Sequence, residues 1–163
     1  MRLIRKDIRL FVNRRDAEHA ERFKGESMLY TIRSDMLDIN KTTESVIGAA
    51  IEVHRHLGPG LLESAYEECL CEELLTRKIP FKRQVILPVT YKSKKLDIGY
   101  RVDLVVKHEV VVELKTVDSI LPIHEAQTLT YMRPGGWQVG LILNFNVTVL
   151  KNGIKRLVHK LKE

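Results

Sequence analysis

Apolar positions along the chain first recur every three to four residues, then switch to alternation or short unbroken runs. Over residues 43–57, Val46, Ile47, Ala50, Ile51, Val53 and Leu57 mark one face of a helix. Thr42 or Thr43 is placed to cap it, and Glu44 complements its first turn. Gly58-Pro59-Gly60 breaks the chain. A second helix is predicted over 61–77, with Tyr66, Leu70 and Leu74 along one side and Lys78-Ile79-Pro80 at its end. The period then changes. Residues 84–91, 97–106 and 110–117 read as strands, Pro88 marking the first as an edge or a bulge. A tight turn at Lys107-His108-Glu109 joins the other two. Pro122 suits the first position of a third helix over 122–133, closed by Gly135-Gly136. Residues 137–145 read as a strand buried on both faces, and Asn152-Gly153 signals a type I′ turn in a C-terminal β-hairpin. This order predicts an α/β domain, a mixed β-sheet flanked by helices.

The first forty residues read differently. Ile4, Ile8, Phe11 and Val12 recur at helical spacing among Arg2, Arg5, Lys6, Arg9, Arg14 and Arg15. Residues 1–40 are therefore assigned as a basic, amphipathic extension and 41–163 as the domain. Asp7, Asp16, Glu18 and Glu21 argue against a transit peptide, and there is no apolar signal-peptide core.

Composition narrows the classes. A chain of 163 residues, 44% hydrophobic and 29% charged, fits one folded domain and excludes a disordered polypeptide. No apolar run reaches the roughly 20 residues of a membrane span, so no membrane partner is expected. The net charge of +6 permits a polyanionic partner. Cys69 and Cys71 lie two positions apart on a helix, pointing to nearly opposite sides. They cannot bridge each other, and reduced thiols fit a cytoplasmic location.

Candidate chemistry centres on the hairpin around His108. A three-residue turn opposes Val106 to Val110, hence Asp103 to Glu113 and Arg101 to Lys115. Val102, Leu104, Val106, Val110, Val112 and Leu114 then face the core, while the other face displays Asp103, Glu113 and Lys115. Two facing carboxylates repel unless something offsets the cost, either solvent with the neighbouring Arg101 and Lys115 or a divalent cation. Hard oxygen ligands suit Mg²⁺ or Mn²⁺. Lys115, two residues after Glu113, is placed to orient a water or meet charge on a phosphate. Glu63 shares a helix face with Tyr66, and Gln127 lies one turn before Tyr131 on the third helix. No P-loop, G-x-S-x-G, dinucleotide fingerprint or Cys/His zinc spacing occurs.

The run Gly60-Leu61-Leu62-Glu63-Ser64-Ala65-Tyr66, after IGAAIEVHRHLGP, resembles the signature of the GxxExxY protein family, within the PD-(D/E)XK nuclease-like superfamily. Tyr100-Arg101-Val102-Asp103-Leu104, Val112-Glu113-Leu114-Lys115, His124-Glu125-Ala126-Gln127 and Gly140-Leu141-Ile142-Leu143-Asn144-Phe145 follow in the family's order. The resemblance covers roughly 42–150 and implies a restriction-endonuclease-like core. It implies metal binding by Asp103 and Glu113, a further acid from Glu63, and catalytic roles for Lys115, Gln127 and Tyr131, the last two matching the QxxxY element of RecB-like nucleases. Val102 stands where the superfamily name has proline. The function expected is a Mg²⁺- or Mn²⁺-dependent nuclease acting on nucleic acid, DNA ahead of RNA. Two copies would suit the cutting of both strands as a homodimer. The alternative is a non-catalytic nucleic-acid-binding or protein-interaction module on the same fold.

Overall fold

The computed structural model describes residues 38–159. Residues 38–57 are helical (α1), followed by α2 (Glu63–Thr76), β1 (Phe81–Tyr91), β2 (Lys94–Val106), β3 (Val110–Lys115), α3 (Pro122–Gly135), β4 (Val139–Asn144) and β5 (Ile154–Val158). The strands form one mixed sheet in the order β1-β2-β3-β4-β5. Only β3 and β4 run parallel, with α3 as their crossover; every other neighbouring pair is antiparallel. Residues up to 37, and with them nearly all of the expected extension, lie outside the described residues.

Helices cover both faces of the sheet. On one, Val46, Ala50 and Val53 of α1 and Tyr66, Leu70 and Leu74 of α2 pack with Leu104, Val106, Val110, Val112, Leu114, Leu141 and Leu143. On the other, Tyr131 and Met132 of α3 pack with Val102, Val105, Val111, Ile142 and Leu157. Because both faces are covered, β4 is buried at every position, as its unbroken apolar run predicts. Among the described residues no helix is long and apolar enough to cross a membrane.

Several boundaries differ from the sequence reading. The helix expected to start at Thr42 or Thr43 already runs at residue 38. Both threonines sit inside it, Thr42 Oγ1 donating to Glu109 Oε2 (2.8 Å) and Thr43 Oγ1 to the Ile39 carbonyl one turn back (2.8 Å). A threonine that bonds the carbonyl four residues earlier needs no cap position. Ile51 and Leu57, assigned to the apolar face of α1, are exposed. The C-terminal hairpin is present, but its arms are β4 and β5. Its connection includes a 3₁₀ turn over Leu150–Gly153 in place of the two-residue turn expected at Asn152-Gly153.

Pro88 meets both of its expectations. It lies in the edge strand β1, and the β1–β2 register shifts between Pro88 and Thr90. A proline lacks the N–H that an inner strand must donate. Helix α3 ends as expected, Gly136 taking the left-handed conformation (φ 68°) at its C-cap.

Candidate functional site

The predicted register of the central hairpin holds, with Val106 opposite Val110, Val105 opposite Val111 and Leu104 opposite Val112. The recorded pairing of β2 with β3 stops there. On its other edge, β3 goes on pairing with β4 to the end, Lys115 lying opposite Asn144. The Asp103 carboxylate takes up the Leu114 N–H, which donates to Oδ2 at 2.9 Å. Glu113 lies next to that amide on β3, and Lys115 Nζ donates to Glu113 Oε1 at 2.7 Å. The three residues of the predicted constellation thus meet where β2 leaves the sheet.

One expectation about this face is corrected. The sequence predicts a face open to solvent, with the acids on display. Instead α3 covers it: Val105 and Val111, two residues from Asp103 and Glu113 and so on the same face, pack in the α3 core. Glu113 is only 3% exposed, and the Lys115 side chain 12%. Alternation groups Leu104, Val106, Val110, Val112 and Leu114 correctly, but Val102, expected with them, packs in the α3 core instead, and a sheet between two helical layers has no open face in its centre.

Burial shapes the charges. Loss of solvent, and then the neighbouring Asp103 charge, push the Glu113 carboxyl up to about 7, against the pull of Lys115. Burial also raises Asp103, opposed by the Leu114 N–H and by Lys115. At Lys115, burial favours the neutral amine, but the Glu113 hydrogen bond and the surrounding carboxylates overcome it and the net shift is upward. Glu113 Oε2 is buried and has no hydrogen-bond partner. An ionised oxygen left so is costly, and a cation is the natural partner for it.

The other expected residues surround this centre at different ranges. Glu63 opens α2, half-buried, and its charge is felt at Asp103, Glu113 and Lys115. It does not complete a cage: among the described residues no three His, Cys, Asp or Glu side chains converge to hold a metal ion. Mg²⁺ needs no such cage, since it commonly keeps several waters and takes one or two carboxylates. Gln127 Nε2 donates to the Tyr131 hydroxyl. Tyr131 is buried, and burial raises its hydroxyl, with the charges of Glu113, Lys115 and Asp103 acting on it as well. Tyr66 is structural. Its hydroxyl donates to the Gly58 carbonyl and accepts from the Leu61 N–H, and its ring stacks on Phe145 at 4.4 Å. It pins the Gly58–Leu61 turn that leads into Glu63.

Two polar residues at the site escaped the sequence reading. Gln84 lies in β1 with a left-handed backbone (φ 50°), between positions that pair with Val102 and Leu104, and so level with Asp103. Its Nε2 donates to Glu67 Oε2 (2.6 Å), and its buried Oε1 has no partner. Only the long-range register brings it there, so no local motif marks it. Asn144 is buried at the end of β4. Its Oδ1 accepts from the N–H groups of Val117 and Asn146, and its Nδ2 donates to the Val117 carbonyl (2.7 Å). With the Phe145 N–H bound to the Lys115 carbonyl (2.8 Å), this locks the strand end that carries Lys115.

No curated protein sequence matches the chain. Among solved structures, the crystal structure of SSO0001 is similar with a TM-score of 0.46 and 19% sequence identity. The match covers 61% of this chain and 52% of that one, so the chain spans about half the length of that protein. The family model of the PD-(D/E)XK nuclease superfamily matches residues 40–157, nearly the whole of the described domain. A match of that extent settles the family, and the chain belongs to the PD-(D/E)XK nuclease superfamily.

Proposed function

We propose that the domain hydrolyses phosphodiester bonds of nucleic acid, DNA in the first place, with Mg²⁺ or Mn²⁺ held by Asp103 and Glu113. Nucleases of this superfamily generally use divalent metal ions. The observation that carries the reading is Glu113 Oε2, a buried carboxylate oxygen without a partner beside a second carboxylate. The donors fit the ion: hard oxygens, two carboxylates, and a third acid, Glu63, within electrostatic reach. When bound, such an ion polarises a phosphoryl oxygen and makes water a stronger acid.

The chain's own groups divide the remaining work. Asp103 is held by the Leu114 amide and Glu113 by Lys115, so both carboxylates are oriented before any ligand arrives. Lys115, protonated and largely withdrawn from solvent, would face the region where negative charge grows on the phosphate. Gln127 and Tyr131 form a neutral donor pair on α3, suited to a phosphate oxygen. Glu63 contributes at longer range, holding a water or a cation through one. The Gly60-x-x-Glu63-x-x-Tyr66 pattern supports a GxxExxY type within the superfamily, its tyrosine fixing the turn before the acid. Cutting both strands of a duplex with one site per chain calls for two copies acting together.

The test is cleavage of labelled DNA and RNA with Mg²⁺ or Mn²⁺ and with EDTA. Wild-type cleavage should require the metal, and Asp103→Ala or Lys115→Ala should reduce it by at least about 100-fold. Cleavage that survives EDTA, or variants as active as wild type, contradicts the proposal. Salt-dependent binding with no cleavage under any metal favours a binding module on a nuclease fold.

A further inference from the structure

Beyond Leu104 the recorded pairing of β2 is with β1 alone, out to Tyr91 opposite Lys94. The two strands therefore run on as a two-stranded arm that springs from the sheet at Asp103. Lys92 and Ser93 close it with left-handed backbones (φ 47° and 65°), the geometry of a tight hairpin turn. From Asp103 to the turn is nine to ten residues of extended chain, about 30 Å at roughly 3.3 Å each.

The arm has a consistent chemistry. Residues 82–101 contain Lys82, Arg83, Lys92, Lys94, Lys95 and Arg101 against a single acid, Asp97. Glu67 and Glu68 hold Arg83 at the base (3.0 and 2.7 Å), whereas Lys92, Lys94 and Lys95 are exposed at the tip. Ile86, Tyr91 and Tyr100 are exposed along its length, at 74%, 64% and 39%. The Tyr100 ring lies 5.3 Å from that of Tyr131, so the arm's surface is continuous with the site. The Lys92 ammonium lies over the Tyr91 ring at 5.5 Å.

We infer that the β1–β2 arm is a substrate-holding arm. It lies along duplex nucleic acid to one side of the scissile phosphate, with Lys92, Lys94 and Lys95 on the backbone. The inference rests on the proposed nucleic-acid reading and deepens it by giving the substrate a direction and a length. Charge decides the occupant, because a lysine cluster at the end of a ribbon with six cations and one acid complements phosphates, and a two-stranded ribbon fits a DNA groove. At 3.4 Å per base pair, the 30 Å reach places the tip about nine base pairs from the site.

The test is binding of a labelled 30-base-pair duplex in EDTA, by anisotropy, over a range of salt. It compares wild type with a Lys92→Gln, Lys94→Gln, Lys95→Gln variant of matched melting temperature. The variant should bind about tenfold or more weakly, and the slope of log affinity against log salt should fall by about 2 to 3. A stem of five base pairs centred on the site does not reach the tip, and wild type and variant should bind it alike. Equal affinity and slope on the long duplex, or equal losses on both lengths, overturn the arm. Wild-type hydrolysis of bis(4-nitrophenyl) phosphate with Mn²⁺ reports on the chemistry separately. If it is absent while the arm variant still loses the duplex, the hydrolytic reading fails and the arm stands.

Discussion

At Glu113 burial works against ionisation, and this single residue sets how the protein responds to pH. Its carboxyl rises from 4.5 to about 7 on folding. Between those values the native state binds the proton more tightly than the unfolded chain. Stability from this group is therefore fully present below 4.5 and lost as pH rises through 7. The shift corresponds to on the order of 3 kcal/mol. In EDTA, wild-type melting temperature should fall between pH 5.5 and 8.5, and Glu113→Gln should flatten that fall. A flat wild-type profile would show that the carboxylate is already compensated. At Tyr66 the aromatic ring was legible as core, but its second role, bonding two backbone groups of the preceding turn, was not. Tyr66→Phe keeps the stack on Phe145 and loses both bonds. It should cost about 1–2 kcal/mol in urea unfolding, with cleavage falling as Glu63 loses its fixed approach.

Among the elements, the strands at the site are the most tightly specified, and Asn144 shows how. Its amide makes three hydrogen bonds to the segments after β3 and β4. Asn144→Ala should cost about 2 kcal/mol or more, since it strands the Val117 N–H and carbonyl. It should also lower the cleavage rate more than it raises KM, because the strand end bearing Lys115 loosens. Parallel melting and steady-state measurements check both effects. The hairpin register that opposes Val106 to Val110 and Leu104 to Val112 was readable from sequence because one residue of slip would move every apolar side chain to the wrong face, whereas the expected pairs Asp103–Glu113 and Arg101–Lys115 lie beyond the point where β2 and β3 stop pairing. Helix α3 was readable from Pro122 and the closing glycines. The start of α1 was not, because a threonine hydroxyl serves a cap and a helix interior equally well. Nor was the last turn. Gly153 is needed for room, a Cβ there falling 2.2 Å from the Asn144 carbonyl oxygen, whereas the Asn152-Gly153 pair reads as a left-handed turn. The β1–β2 arm was longer than its hydrophobic pattern, since its tip buries nothing.

On the scale of the whole molecule, the net charge of +6 says less than its distribution. A buried Glu113 beside a half-buried Asp103 sits where the sheet opens, a lysine lies against Glu113, and a basic arm leaves from the same place. The acids repel phosphate until a divalent cation reverses the local sign, so metal and nucleic acid should each strengthen binding of the other. An ion held there would neutralise Glu113, so millimolar Mn²⁺ should raise the melting temperature at pH 8 by several degrees, with little effect on Asp103→Asn. The most direct measurement is calorimetric titration of Mn²⁺ into wild type, Asp103→Asn and Glu113→Gln, with and without nucleic acid. The expected result is a saturable wild-type site that either substitution abolishes and nucleic acid tightens. No wild-type binding even with nucleic acid present, or binding that both variants retain, would contradict a metal-dependent nuclease built on Asp103 and Glu113.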